Sequence, residues 1–198
     1  MKTLLVIFCT FSIWIPSNAR SAEKQCEVSV VEHEVISALI TEYYGDNSTL
    51  LVICSETTAY PFGITDYLLP QWAEIVSKGT VESCIEKMAC VGRMRRRLSI
   101  PCRYTYISIA DFDKIWGDLI AFFVGKDGLT GWGRFERAFP EIDHYLQFTR
   151  VGINENQTEA FLFVDDTFST MGGSGTFYVM ERGSTGWTIT NSYCNMVW

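Results

Sequence analysis

Gly175-Thr176-Phe177-Tyr178-Val179-Met180-Glu181-Arg182-Gly183-Ser184-Thr185-Gly186-Trp187-Thr188-Ile189-Thr190-Asn191-Ser192 is the stretch that decides the fold class. β-Branched and aromatic residues fill both arms, and a Gly-Ser-Thr-Gly link joins them, which is the pattern of a β-hairpin. Upstream, Tyr145 to Ile153 and Glu159 to Asp165 are two more strand-like runs, separated at Asn154-Glu155-Asn156. Four strands in succession with short links predict an antiparallel meander.

The remainder reads as helices with two isolated strands. Val31, Val35, Ile36, Leu39 and Ile40 recur at helical spacing and predict a helix from Val31 to Tyr44, stopped by Gly45-Asp46-Asn47-Ser48. The apolar run Leu50-Leu51-Val52-Ile53 predicts a buried strand over Thr49 to Ser55. Pro70 to about Met94 reads as an irregular helix with Gly79 in its middle, and Arg103 to Ile109 as a strand. Ser108 followed by Asp111 opens a helix that runs to about Val124, with Phe112, Ile115, Trp116, Leu119, Ile120 and Phe123 on one face. A short amphipathic turn follows from Trp132 to Phe139 and ends at Pro140. Helices first and a meander last predict an α+β fold, with the N-terminal and central helices packed on one face of an antiparallel sheet.

Residues 1–19 have the pattern of a secretory signal peptide. Lys2 supplies the positive start, Leu4 to Ile15 the apolar core, and Ser17-Asn18-Ala19 small residues at a cleavage site. The apolar run is shorter than the ~20 residues that span a bilayer. A single α+β domain over residues 20–198, in a secreted or periplasmic location, is expected. No later segment has the apolar length of a span, so no stable membrane insertion is expected after cleavage.

Export changes the meaning of the cysteines. Of seven, Cys9 leaves with the leader, and Cys26, Cys54, Cys84, Cys90, Cys102 and Cys194 remain. An even set in an oxidising compartment favours at least one disulfide. Cys84, Cys90 and Cys102 form the closest pool, although Cys84 and Cys90 would face apart on one continuous helix. The absence of any C-x-x-C and the presence of only two histidines argue against a metal site. A formal charge of −7 disfavours nucleic acid as a partner.

The candidate chemical groups are few. His33 lies between Glu32 and Glu34, but neighbours on a helix do not face one another, so it reads as a lone surface histidine. Asp143-His144 is a second acid–base candidate, without a serine or cysteine at a recognisable spacing; a satisfied strand-edge histidine is the simpler reading. Asp165-Asp166 lacks the further oxygen ligands of a calcium loop. Thr170-Met171-Gly172-Gly173-Ser174-Gly175 matches neither a phosphate-binding loop nor a nucleophile elbow and reads as a flexible link. Arg93 with Arg95-Arg96-Arg97 is the strongest charge cluster; it reads as a solvated face, with an anion contact as the functional alternative. Asn47-Ser48-Thr49 and Asn156-Gln157-Thr158 match the glycan acceptor pattern and fall in expected loops.

A set of motifs resembles an uncharacterised family of secreted or cell-envelope proteins. They are Trp132-Gly133-Arg134-Phe135, Phe139-Pro140, Arg150-Val151-Gly152-Ile153-Asn154, Gly173-Ser174-Gly175-Thr176-Phe177-Tyr178 and Gly186-Trp187, with Glu34–Ile40 and Leu51–Ile53 near the start. Phe139 stands where the family pattern has tyrosine. The resemblance implies no catalytic residues and no cofactor. The expected function is therefore a secreted or periplasmic, non-catalytic module that binds a small ligand or a protein. A hydrolase using His144 or His33 with nearby carboxylates is the alternative, and a structural cell-envelope component a third.

Overall fold

The computed structural model describes residues 25–46, 48–58, 72, 74–117, 130–170 and 172–197. The expected leader, Asn47, Met171 and Trp198 lie outside these residues. The helix expected to run on to Val124 is corrected: it stops at Trp116, where Gly117 takes φ 86°.

Strand β1 (Gln25–Glu27) precedes helix α1 (Val30–Tyr44). Ser29 caps α1 through a reciprocal pair: its hydroxyl accepts from Glu32 N, and the Glu32 carboxylate accepts from Ser29 N at 2.9 Å. Then come β2 (Leu50–Cys54), α2 (Lys78–Lys87), β3 (Val91–Arg93), β4 (Arg103–Ile107), α3 (Ile109–Trp116) and α4 (Gly131–Ala138). The C-terminal part holds β5 (His144–Phe148), β6 (Gly152–Ile153), β7 (Glu159–Ser169), β8 (Gly172–Gly183) and β9 (Gly186–Val197).

Seven strands join in the order β4-β2-β5-β7-β8-β9, with β6 also on β7. The expected meander is present: β5 and β6 pair along β7, then β8 and β9 follow, all antiparallel. The expectation of a purely antiparallel sheet is corrected, because β2 runs parallel to both β4 and β5. The physical reason lies in Leu51-Val52-Ile53-Cys54, four consecutive buried residues. A strand without a polar face belongs inside a sheet covered on both sides, where parallel strands occur.

Both sides are indeed covered, which corrects the second expectation, that helices occupy one face. Leu51, Ile53, Leu146, Phe148, Leu162, Val164, Tyr178 and Met180 point to α1 and meet its Val35, Ile36, Leu39 and Ile40. Their alternates point the other way. Phe161, Phe163, Phe177 and Val179 pack on Trp72, Val76 and the α2 residues Val81 and Cys84. Val52, Cys54 and Tyr145 pack on Phe112, Trp132 and Phe135 of α3 and α4. The period-two alternation of a strand thus feeds two separate cores.

Of the helix expected over Pro70 to Met94, the described residues hold the helical Trp72, a turn after it, and α2, ten residues long. It ends because Val91–Arg93 is drawn into β3, parallel to β1. That pairing sets Cys26 beside Gly92 and brings Cys26 and Cys90 to disulfide distance, with Cα atoms 6.1 Å apart. The closest cysteine in sequence is therefore not the partner. Cys84 and Cys102 are buried thiols, and burial pushes the Cys84 thiol up to about 12. The strand expected from Tyr145 to Ile153 is broken into β5 and β6 by Thr149-Arg150-Val151. The glycine-rich stretch is not a flexible link: Gly172–Gly175 pair with β7 as the first residues of β8. The hairpin link narrows to Ser184-Thr185 between the paired Gly183 and Gly186, the latter at φ +125°.

Candidate functional site

Three polar groupings stand out against the apolar cores. The first is fully internal. Glu32 is 0 % exposed and accepts four hydrogen bonds: from Arg150 Nε (2.9 Å), Arg150 Nη2 (3.0 Å), Val151 N (3.2 Å) and Ser29 N (2.9 Å). Burial alone would raise the Glu32 carboxyl, but the Arg150 hydrogen bond, the Ser29 amide and the charges of Lys87 and Arg150 hold it below its ordinary value. Arg150 Nη1 also reaches Cys90 Sγ at 3.3 Å, and Lys87 Nζ donates to Val151 O at 2.8 Å. This grouping ties α1, α2 and the β5–β6 break together and gives a ligand no access.

The second grouping lies where the C-terminal end of α1 crosses β5 and β7. His144 Nδ1 sits 2.9 Å from Asp166 Oδ1, and the Tyr44 hydroxyl donates to Asp166 Oδ2 at 2.8 Å. Asp166 is buried, while the His144 side chain is 27 % exposed. The rings of Tyr44 and Phe168 flank the imidazole at 5.0 and 6.0 Å. Burial, and then the Asp166 charge, push the Tyr44 phenol well above its ordinary range, so it remains a donor. A carboxylate on Nδ1 orients an imidazole and supports it as a general base. The partner expected from sequence, Asp143, is elsewhere: its Oδ2 accepts from Leu50 N at 2.7 Å. His144 also lies on a central strand of the sheet, not at an edge.

Asp165 and Asp166 point to opposite faces of β7, so they share no cation. Asp165 turns to the side of Tyr145 and Gln147, where burial, reinforced by the Asp166 charge, raises its carboxyl to about 7. His33 is buried, not superficial as expected. Its Nδ1 lies 2.9 Å from Ser29 O, and its Nε2 has no partner among the described residues. His33 and His144 thus occupy separate places. Asn156 is exposed in the β6–β7 turn, as the glycan pattern requires.

The third grouping is an open groove of about 720 Å³ along the outer side of α1. Ser37, Ala38 and Thr41 form its floor. Arg96, Arg97 and Ser99 form one wall, and Arg182 with the Thr185-Gly186-Trp187 end of the hairpin forms the other. The first wall is held by three bonds: Leu98 N to Tyr104 Oη (2.7 Å), Ser99 N to Ser37 Oγ (3.2 Å) and Tyr106 Oη to Arg96 O (3.0 Å). On the second wall Arg182 lies over the Trp187 ring at 5.7 Å and meets Glu34 at 3.3 Å. The sequence marks Arg96 and Arg97 as a charge cluster. Arg182 and Tyr44 carry no comparable signal, since their roles come from partners more than a hundred residues away.

No protein-family model matches this chain, and no curated protein or solved structure is significantly similar to it. Among the described residues, no helix is long and apolar enough to cross a membrane.

Proposed function

We propose that this chain is an exported binding protein whose ligand sits in the groove along α1. The observation that supports this reading is the groove itself: about 720 Å³, with apolar and hydroxyl side chains below and arginines on both walls. The volume falls in the range of small-ligand sites, and the open lining combines apolar side chains with polar ones, Glu34 and Glu42 among them. Export is supported by the leader pattern of residues 1–19 and by Cys26 and Cys90 at disulfide distance, which suits an oxidising compartment. The family resemblance points the same way, to a secreted or envelope protein without a catalytic set.

The test is thermal stabilisation of the mature protein, begun near Arg20, against a small-molecule panel and extract fractions. A binding module gives a concentration-dependent rise in Tm with at least one of them. That rise disappears in Thr41→Trp, which fills the groove from an exposed helix position. No rise with any fraction overturns the reading.

A second reading has its own observation. The 2.9 Å contact of His144 with Asp166 fits a hydrolase in which His144 activates water. A hydrolytic activity that survived His144→Ala would exclude it.

A further inference from the structure

The groove holds more donors than the protein satisfies. Its two carboxylates are occupied: Glu34 meets Arg182, and Glu42 Oε2 accepts from Ile189 N at 3.0 Å. Arg96 and Arg97 are exposed on the first wall and have no carboxylate within 4.0 Å among the described residues. His33 and Trp187, 6 % and 7 % exposed, also line the groove. Their ring nitrogens His33 Nε2 and Trp187 Nε1 lack a hydrogen-bond partner among the described residues. Buried polar nitrogens are normally paired, because leaving one unpaired costs about 1–3 kcal/mol. An imidazole whose Nδ1–H donates to Ser29 O presents Nε2 as an acceptor, whereas the Trp187 indole N–H is an unpaired donor. That indole beside two unmatched guanidinium groups makes one place with a surplus of donors and positive charge. The surplus stands out in a chain whose formal charge is −7.

The geometry points to an anionic ligand: we infer that the groove takes a small molecule bearing a carboxylate or phosphate group, read by Arg96 and Arg97. A guanidinium presents two parallel N–H donors to such oxygens and binds them bidentately. The wall that carries both arginines is anchored at Tyr104, Tyr106 and Ser37, so little backbone ordering remains to be lost on binding. Trp187 borders the same space and carries the unpaired indole N–H. This inference rests on the binding reading above and names the ligand class of that site.

The experiment is an NMR titration of the mature, isotopically labelled protein with inorganic phosphate and, separately, with succinate. Sodium chloride holds the ionic strength constant. The expected result is a saturable shift of the Arg96–Ser99 amides and of the Trp187 indole N–H with at least one of the two anions. The anion that titrates tells whether phosphate or carboxylate is the preferred head group. In Arg96→Ser/Arg97→Ser the apparent Kd rises about tenfold or more, the loss of one or two charge-assisted hydrogen bonds. Arg96→Gln and Arg97→Gln, tested singly, give intermediate values should the double variant fold poorly. The inference is overturned if neither anion moves these signals, or if the double variant titrates like the wild type. A neutral panel compound blocked by Thr41→Trp but indifferent to the arginine variants also overturns it, and leaves the binding reading standing.

Discussion

Replacing Glu32 with glutamine keeps the shape of the side chain and removes one buried charge. Arg150 is then a guanidinium, 6 % exposed, without its counter-ion. The new amide also turns an N–H₂ group toward a ring of donors: Arg150 Nε and Nη2, Val151 N and Ser29 N. Breaking a buried pair from one side costs about 3–5 kcal/mol, a large share of the roughly 5–15 kcal/mol that holds a domain together. Urea unfolding followed by circular dichroism should therefore show a much lower midpoint at unchanged slope, with Tm lower by on the order of 10 °C. The double variant Glu32→Met/Arg150→Met removes both charges and should recover part of the loss: an apolar pair avoids the desolvation cost, while the Val151 and Ser29 amides lose their acceptor. The pH dependence has a definite sign. The folded carboxyl lies below its ordinary value of 4.5, so its contribution is full above that pH and is lost as pH falls through the folded value. Glu32→Gln should lack that part of the acid limb. A cost below about 1 kcal/mol for Glu32→Gln, or a double variant no more stable than the single one, would refute the assignment of this pair as a structural lock.

Asp165 behaves in the opposite sense. Its folded value of about 7 lies above the ordinary 3.8, so stability is greatest at low pH and falls as pH rises between these values. Asp165→Asn should raise stability at pH 8 by on the order of 2–4 kcal/mol, the lower figure allowing for solvent at the half-buried side chain, and leave it unchanged below pH 4. Equal unfolding midpoints of wild type and variant at pH 8 would contradict this. Gly152→Val places a Cβ within 2.6 Å of Cys84 Cβ and against the Thr80 carbonyl, so α2 must move off β6. A destabilisation of about 1–3 kcal/mol, read by chemical denaturation, is expected. Cys26→Ser/Cys90→Ser opens a link across 64 residues and should lower stability by roughly 4 kcal/mol under oxidising conditions. With reductant present, the difference between that variant and the wild type should vanish.

The strands and caps were legible because their causes are local. Alternating apolar residues and a Gly-Ser-Thr-Gly link specify the β8–β9 hairpin wherever it lies in space. Ser108 with Asp111 caps its helix within one turn, as read; the equally local pair of Ser29 with Glu32 was missed. The candidate site was legible only in fragments. His144 could be named, but its carboxylate could not: Asp143 is adjacent in the chain, while Asp166 is adjacent in the sheet, one strand over. The role of Glu32 was not legible, because nothing near it in sequence announces Arg150, 118 residues away. The arginine cluster was visible, and the groove it borders was not, since the opposite wall belongs to the β8–β9 turn.

By itself, then, the order of residues determined the longest described helix and the C-terminal hairpin and which of their faces are apolar, but not that Val91–Arg93 becomes a strand. Only the tertiary structure decided where β2 lies in the sheet. A run buried on both faces suits a parallel position, but which strands flank it depends on crossovers through helices far away in the chain. It also decided which charges become internal. A carboxylate and a guanidinium more than a hundred residues apart stabilise each other only after the apolar faces of α1 and the sheet have closed around them.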